Sequence, residues 1–532
     1  METRTASSWI DAFVGHDPVL ETRLRGIYGD DPALLDERRR AYVNLLTRFG
    51  MAYGDEEVIV TRSPARINLR GVHVDHRGGH VNYVCISRET LVAAHAREDD
   101  HVFMLNTDPK KYGPRSFSVT DELPPHQRGD WLAYIDQVEI QPGDWMNYVK
   151  AAVLRLQDRF QDLPLKGMNL MVSGNILGQG LSSSSALVVA TMEAVLQVNG
   201  LDLPVGERID LYGTGEWYVG TRGGSGDHSA MLCGRREQVG HMSFFPSAVE
   251  YYPLPAGYKI VVCNSLKEAR KSAGAKSAFN QRVATYEVAM MLLKAGFPVV
   301  AERATYLRDV TPRTLGCSEA DIYRMLQALP ERVDRDELLA ALPERKVDLE
   351  RLFKTHEDLP EGYRVRDVCL FGLAECERAR ICVDFLKAGD MEGFGRLMSI
   401  GHDGDRVVRF GPDGQAIAWE SRATAAALDR LIADAESDDP ARREQARIWR
   451  QPGGYRCSCE ELDHLVDIAR EVPGVAGASL TGAGLGGPVL VLVREEAVPG
   501  VEEAVRRAYY EPRGLPFSAE VCSSVEGAGR VL

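Results

Sequence analysis

At 532 residues the chain exceeds the length over which a single hydrophobic core keeps growing, so two domains are expected. Hydrophobic residues make up 44% and charged residues 26%, as in a water-soluble globular protein; the net charge of −14 argues against a nucleic-acid surface, which needs clustered Lys and Arg. No run approaches the ~18 apolar residues of a membrane span, METRTASSWIDAF is not built like a signal peptide, and the ten cysteines are scattered with no C-x-x-C pair; Cys457 and Cys459, a C-x-C, read as free thiols with a metal role as the alternative, and a reducing cytoplasm is the expected location.

Residues 1–56 read as helices, with Leu34, Leu35, Tyr42, Leu45 and Leu46 marking an apolar face over 34–49. The period then changes to alternation over 57–69, 81–96 and 165–174, as in strands. Between the first two lies RGVHVDHRGGHVNY, residues 70–83, which gathers His73, Asp75, His76, Arg77 and His80 around Gly78 and Gly79. A metal site, an acid/base cluster and a ligand-holding loop are all open there. His73, His76 and His80 have helical spacing, but Gly71, Gly78 and Gly79 argue against a helix and so against a zinc triad.

Helical spacing returns over 145–156, and the strand KGMNLMVSG leads through NILGQGLSSSSA into a helix over 187–199, with Gly200 suited to its C-terminal cap. KIVVCNS, near 259, begins the second half as a short strand, followed by a helix over 277–295. Residues 301–365 and 403–453 are charged and read as helical insertions on the surface, with ESDDPARREQARIWRQPGG the clearest loop. GASLTGAGLGGPVLVLV is a glycine loop between two strands, and VEEAVRRAYYEP is a late amphipathic helix.

A loop that holds a triphosphate must bring backbone N–H groups close to anionic oxygens, and a helix start behind it helps. Gly178, Gly180, Ser182, Ser183, Ser184 and Ser185 meet that requirement, and serine hydroxyls suit the hard cation Mg2+. A flexible linker would not sit between an apolar strand and an apolar helix. The pattern G-x-x-x-x-G-K-[ST] is absent, so this is not a Walker loop. Taken singly, the loop from Gly482 to Gly487 could be only a tight turn.

SPARINLRGVHVDHRGG, GQGLSSSSA and TGAGLGG, in this order, resemble the three signature motifs of the galactokinase-type members of the GHMP small-molecule kinase superfamily. WMNYVKAAV, GEWYVGTRGGSGDHSAML, GDMEGFGRLMSIGHDGDR and YRCSCEELDHLVDIAREVPGVAGASLTGAGLGG agree, and the likeness covers most of residues 58–530. The resemblance implies an α+β fold of two domains, the first like ribosomal protein S5 domain 2 (residues 57–258) and the second ferredoxin-like (259–532), after an N-terminal helical extension. It further implies ATP and a sugar in the cleft between them, and transfer of the γ-phosphoryl group to the anomeric hydroxyl. The family's catalytic aspartate falls on Asp227 and its partner arginine on Arg66. Such a carboxylate accepts or orients the hydroxyl proton, while the arginine holds it ionised and offsets charge on the phosphoryl group. By the same route Ser184 and Glu216 are the magnesium-side residues, and Trp145 and Tyr148 the adenine-side aromatics, although the Glu216-to-Asp227 spacing is one residue short.

His73 and Asp75 match the family's contacts to sugar hydroxyls, with Gly224 beside them, while three positions depart from it. Val72 replaces the glutamate that receives the hydroxyl on the sixth carbon, His76 replaces a tyrosine, and Phe279 replaces a later tyrosine. This form is similar to the galacturonokinase branch, because a carboxylate on the sixth carbon would be repelled by glutamate but could accept from His76 or Arg77. The expected substrates are therefore galacturonate first, galactose next and arabinose third. A catalytically silent sugar and ATP sensor on the same fold is the competing reading. An isoprenoid-pathway kinase fits residues 66–79 less well. The expected partners are a sugar and ATP, with no nucleic acid or membrane, in a monomer or small homo-oligomer.

Overall fold

The computed structural model describes residues 3–531 except 177–179, 222, 268–272, 412–413 and 421. The strand Glu57–Arg70 begins the main sheet, and its alternation decides how the first domain is layered. Val58 and Val60 face the N-terminal helices, among Trp9, Phe13, Leu24, Tyr42 and Leu46. Ile59 faces the opposite core, formed with Val149, Val153, Val188 and Met192 of the helices Met146–Arg159 and Ser183–Val198. A period of two therefore places apolar side chains on both faces, and helices cover both. The N-terminal helix Pro32–Tyr53 runs beyond its predicted 34–49, because Asp31 caps it and Pro32 occupies its first turn.

Among the described residues the sheet has nine strands, with the central order Arg4–Thr5, Glu57–Arg70, Val81–Ala96, Met168–Gly174, His101–Asn106 and Arg115–Ser118. Gly529–Arg530 returns to pair with Glu57–Arg70, so the end of the chain closes on the first domain. Buried Glu89 ties the layers together: it accepts from Arg62 Nε at 2.6 Å and from the Tyr28 hydroxyl at 2.6 Å.

In the second domain, Val475–Leu480, Pro488–Arg494, Tyr258–Asn264 and Ala519–Val521 form an antiparallel sheet in that order. Alternation again splits the faces: Val261 and Val491 meet the helices Glu460–Arg470 and Val498–Val505, whereas Val262 and Leu490 meet Met391–Asp405. Ala65, Ile67 and Leu69 of the first domain join this second core, so one apolar cluster crosses between the domains.

The structure corrects the reading of 301–365 as surface. Leu307, Tyr323, Leu338 and Tyr363 are buried with Tyr286, Phe371 and Leu428 in a helical core. Charges on the outer faces of several short helices dominate the composition there and hide the inner faces. Residues 403–453 contribute as well, because the helix Ala425–Ala435 packs on Glu319–Ala328. The expected loop at 436–454 includes the short helix Pro440–Gln445, capped by the Asp439 side chain.

The segment 70–83 is anchored from the second domain. Glu375, fully buried on the helix Val365–Ala388, accepts from Gly71 N–H at 2.8 Å and Arg378 Nε at 2.7 Å, with Arg70 Nη2 at 3.6 Å. Arg70 Nη1 donates to the Leu397 carbonyl at 2.6 Å. Burial pushes the Glu375 pKa up, but Arg70 and Arg378 outweigh it and hold the group below its ordinary value. Glu375→Gln leaves two buried guanidinium groups without their counter-charge, at a cost of about 3–5 kcal/mol. Urea unfolding should show a large drop in the midpoint; a midpoint equal to that of the unchanged protein contradicts the anchoring role.

Candidate active site

Arg66 lies between Ala65 and Ile67, which point into the interdomain core, so alternation sends its guanidinium to the other face. Its Nε donates to Asp227 Oδ1 at 2.7 Å, Nη1 to the Gly180 carbonyl at 3.1 Å and Nη2 to Ser182 Oγ at 2.5 Å. Ser182 Oγ in turn donates to Asp227 Oδ2. Asp227 sits in the first turn of the helix Gly226–Cys233. Its side chain is 29% exposed whereas that of Arg66 is 2% exposed, so the carboxylate is the reachable end of the pair.

Ser182 precedes the helix Ser183–Val198 in a left-handed conformation (φ 57°, ψ 50°), which costs a non-glycine residue ~1 kcal/mol or more. The helix begins four residues before its predicted start, so the serine run is its first turn. Gly180 has φ +98°, and a Cβ there would stand 2.4 Å from Pro488 Cδ. Only glycine fits, because the Gly482–Gly487 loop packs directly on the loop that carries Gly180. Thr481, at the head of that third loop, accepts from Asn68 N–H at 3.2 Å. The three glycine-containing segments thus meet at one place. Gly178 falls outside the described residues.

Ser185 Oγ donates to Glu216 Oε2 at 2.6 Å, and His228 Nε2 lies 3.0 Å from the same oxygen. Ser185, rather than Ser184, is the serine in contact with Glu216, while Ser184 stands half-buried beside it and Ser183 is exposed. The short spacing to Asp227 has not carried Glu216 away from the serine run. A hydroxyl next to a carboxylate is a hard-oxygen donor set, which suits Mg2+.

Asp75 lies in the single turn Asp75–Arg77, closed by left-handed Gly78. Its Oδ2 accepts from Gly226 N–H at 2.9 Å, and Oδ1 faces His76 Nδ1 at 3.1 Å. A Cβ at Gly224 would meet Asp75 Oδ2 at 2.2 Å, so the glycine segment before Asp227 leaves room for this carboxylate. Burial pushes Asp75 up, but the contacts from His76 and Gly226 outweigh it and hold the carboxyl at about 2.

The His73 ring stacks on Tyr455 with centroids 4.4 Å apart, and Phe279 stands edge-on at 6.5 Å. Its Nε2 is buried without a hydrogen-bond partner, 3.5 Å from Asp405 Oδ1. His73, Asp405 and Cys457 bring one ligand-type atom each within 4.8 Å of the others. Burial lifts the Cys457 thiol to about 12, which disfavours the thiolate a metal would bind. His76 and His80 lie outside that group, and His80 stacks on His241 at 4.4 Å.

Four residues sit differently from their sequence reading. Val72 is packed among Val261, Leu480 and Val489 in the second domain's core. Trp145 is buried in the first core with its indole N–H on the Gly113 carbonyl at 3.1 Å, and Tyr148 packs half-buried against the same core. Aromatics three apart on an amphipathic helix share its inward face. Arg77 donates to the Val283 carbonyl and to Glu287 Oε1 at 2.9 Å. Sequence reasoning missed His228, Asp405, Tyr455 and Glu375 as parts of the site. His228 directly follows Asp227, and Asp405 and Tyr455 lie in segments that resemble the family, so proximity in sequence was the available signal.

Three family models match the chain: the GHMP kinases N terminal domain over 147–235, the galactokinase galactose-binding signature over 47–96 and the GHMP kinases C terminal model over 427–511. The chain carries the N- and C-terminal domains of GHMP kinases and has their fold. Its galactose-binding signature and its relatives are those of galactokinases. It is 29% identical over 491 residues to a galactokinase from Roseiflexus sp. (strain RS-1), covering 92% of this chain and 97% of that one. It is 26% identical to a galactokinase from Dictyostelium discoideum, covering 94% and 93%. The crystal structure of Lactococcus lactis galactokinase complexed with galactose shares the fold, with a TM-score of 0.64 at 23% identity over 91% of this chain and 97% of that one.

Burial also sets a pH dependence. It pushes Asp405 up to about 8 and His73 down to about 3. From the ordinary carboxylate value near ~4 up to about 8, folded Asp405 holds a proton that the unfolded chain has released, so stability falls as pH rises. His73 has the opposite sign between about 3 and its ordinary 6.5, and cancels the lower part of that window. Net stability should therefore decline from pH 6.5 to 8, by up to ~1.4 kcal/mol per unit. Unfolding midpoints should fall over that range and level off in Asp405→Asn; the same decline in both proteins contradicts the assignment.

Proposed function

We propose that this sugar kinase transfers the γ-phosphoryl group of ATP to the anomeric hydroxyl of a galactose-configured sugar. One observation carries the reading: Asp227 is held by Arg66 and Ser182 at the start of the phosphate-loop helix, while remaining reachable. Asp227 accepts or orients the hydroxyl proton, and the Arg66 guanidinium offsets charge on the phosphoryl group in flight. The first-turn N–H groups of the helix Ser183–Val198 suit the phosphate oxygens. Ser185 and Glu216 would hold Mg2+, with Ser184 beside them; bound there, the ion would neutralise phosphate charge. A reachable Asp227 favours turnover over a silent sensor. Among the described residues no helix is long and apolar enough to cross a membrane, and all ten cysteines are free thiols, as a cytoplasmic enzyme requires.

Galactose is the substrate the geometry supports best, ahead of galacturonate and arabinose. Asp75 accepts from His76 Nδ1–H, which leaves Nε2 as a lone-pair acceptor suited to a hydroxyl rather than to a carboxylate. Burial and the Arg77 charge lower the His76 pKa and keep the ring neutral. Arg77, the cation that follows His76, is already engaged by Glu287. Val72 is core packing, and its departure from glutamate loses its weight as a sign of an acidic substrate.

Purified protein with ATP should turn over galactose faster than galacturonate or arabinose; faster galacturonate turnover overturns this order. Asp227→Asn should lower turnover by about 10³-fold while ATP binding holds. Undiminished turnover in that variant removes Asp227 from the chemistry.

A further inference from the structure

Outside the sugar-gripping loop lies a cavity of about 310 Å³, in the size range of small-ligand sites. Arg282, Arg332, Arg364 and Arg456 line it, together with Glu361 and Tyr455. Arg364 is neutralised by Asp367 at 2.6 Å, yet the wall keeps a surplus of positive charge in a chain whose net charge is −14. Arg282 spends Nε on the Tyr455 carbonyl at 2.7 Å and Nη1 on the Ala278 carbonyl at 3.0 Å, which leaves Nη2. Half-buried Arg456 is held in a left-handed conformation, φ 60°. Burial, then the Arg364 charge, lowers its pKa, with Arg282 adding to the repulsion; Glu420 and Asp367 oppose it but do not outweigh it. Clustered guanidinium groups that repel one another in a concave wall are relieved by an anion.

We propose that this cavity is a second anion site that binds a phosphate group, as inorganic phosphate or a small phosphate monoester. The planar forks of several arginines fit the oxygens of a dianionic phosphate better than a single carboxylate. The cavity adjoins the His73 cluster without coinciding with it: Tyr455 is their shared wall, its ring stacked on His73 and its carbonyl accepting from Arg282, while Arg332, Arg364 and Arg456 line the cavity alone.

The test uses the full chain saturated with a non-hydrolysable ATP analogue, so that the phosphate loop is filled. Calorimetric titration with inorganic phosphate and with glycerol 3-phosphate should each give one site, and acetate at matched ionic strength should give none. Tighter glycerol 3-phosphate identifies a monoester ligand; equal or tighter inorganic phosphate identifies the free ion. Arg456→Ala should weaken binding at least tenfold and leave kcat on galactose unchanged, and exposed Arg332→Ala serves should the first variant not fold. Absence of binding, acetate binding as tightly as phosphate, or binding that these variants leave unchanged overturns the proposal. Binding is read directly, so protein inactive on galactose that still takes up phosphate here separates this site from the sugar-kinase reading.

Discussion

The buried guanidinium of Arg66 is the point on which the rest of the site depends. Left unpaired, it would cost several kcal/mol in desolvation, so the fold supplies acceptors from three directions. Asp227 comes from one helix, and Gly180 and Ser182 from the phosphate loop. One ionic group therefore sets the position of the carboxylate relative to the loop proposed to receive phosphate. Ser182 pays in backbone strain for its place between them, and the Gly180–Pro488 contact keeps the loop from relaxing away.

The sheets explain how such a group can be positioned so closely. Strand Glu57–Arg70 carries apolar side chains into the N-terminal layer, the first core and, at Ala65, Ile67 and Leu69, a core shared with the second domain. Arg66 and Arg70 alternate with that last set, so the strand that joins the domains also delivers both arginines. Glu375 then fixes the exit of the strand into the segment 70–83. Positioning and packing are two faces of the same element.

Much of this was legible in the sequence, because local patterns report local structure. The alternation over 57–69 and 81–96, the serine run before a helix and the order of three glycine motifs each depend on near neighbours in the chain. Long-range pairings were not legible: Asp75 meets Gly226 and Gly224 only after folding, and Ser185 rather than Ser184 is chosen for Glu216 by the turn of the helix. Charge composition concealed the helical core of 301–365, since its apolar residues sit on inner faces of short helices. The partners of His76 and Arg77 were likewise distant or hidden in sequence, Glu287 above all.

The central claim is that the Arg66–Ser182–Asp227 unit acts on an anomeric hydroxyl. Phosphorus NMR of the product formed from ATP and galactose tests it most directly, because coupling to the anomeric proton marks the position of transfer. The account predicts a sugar phosphate whose phosphorus couples to that proton. A phosphate on any other carbon would contradict it.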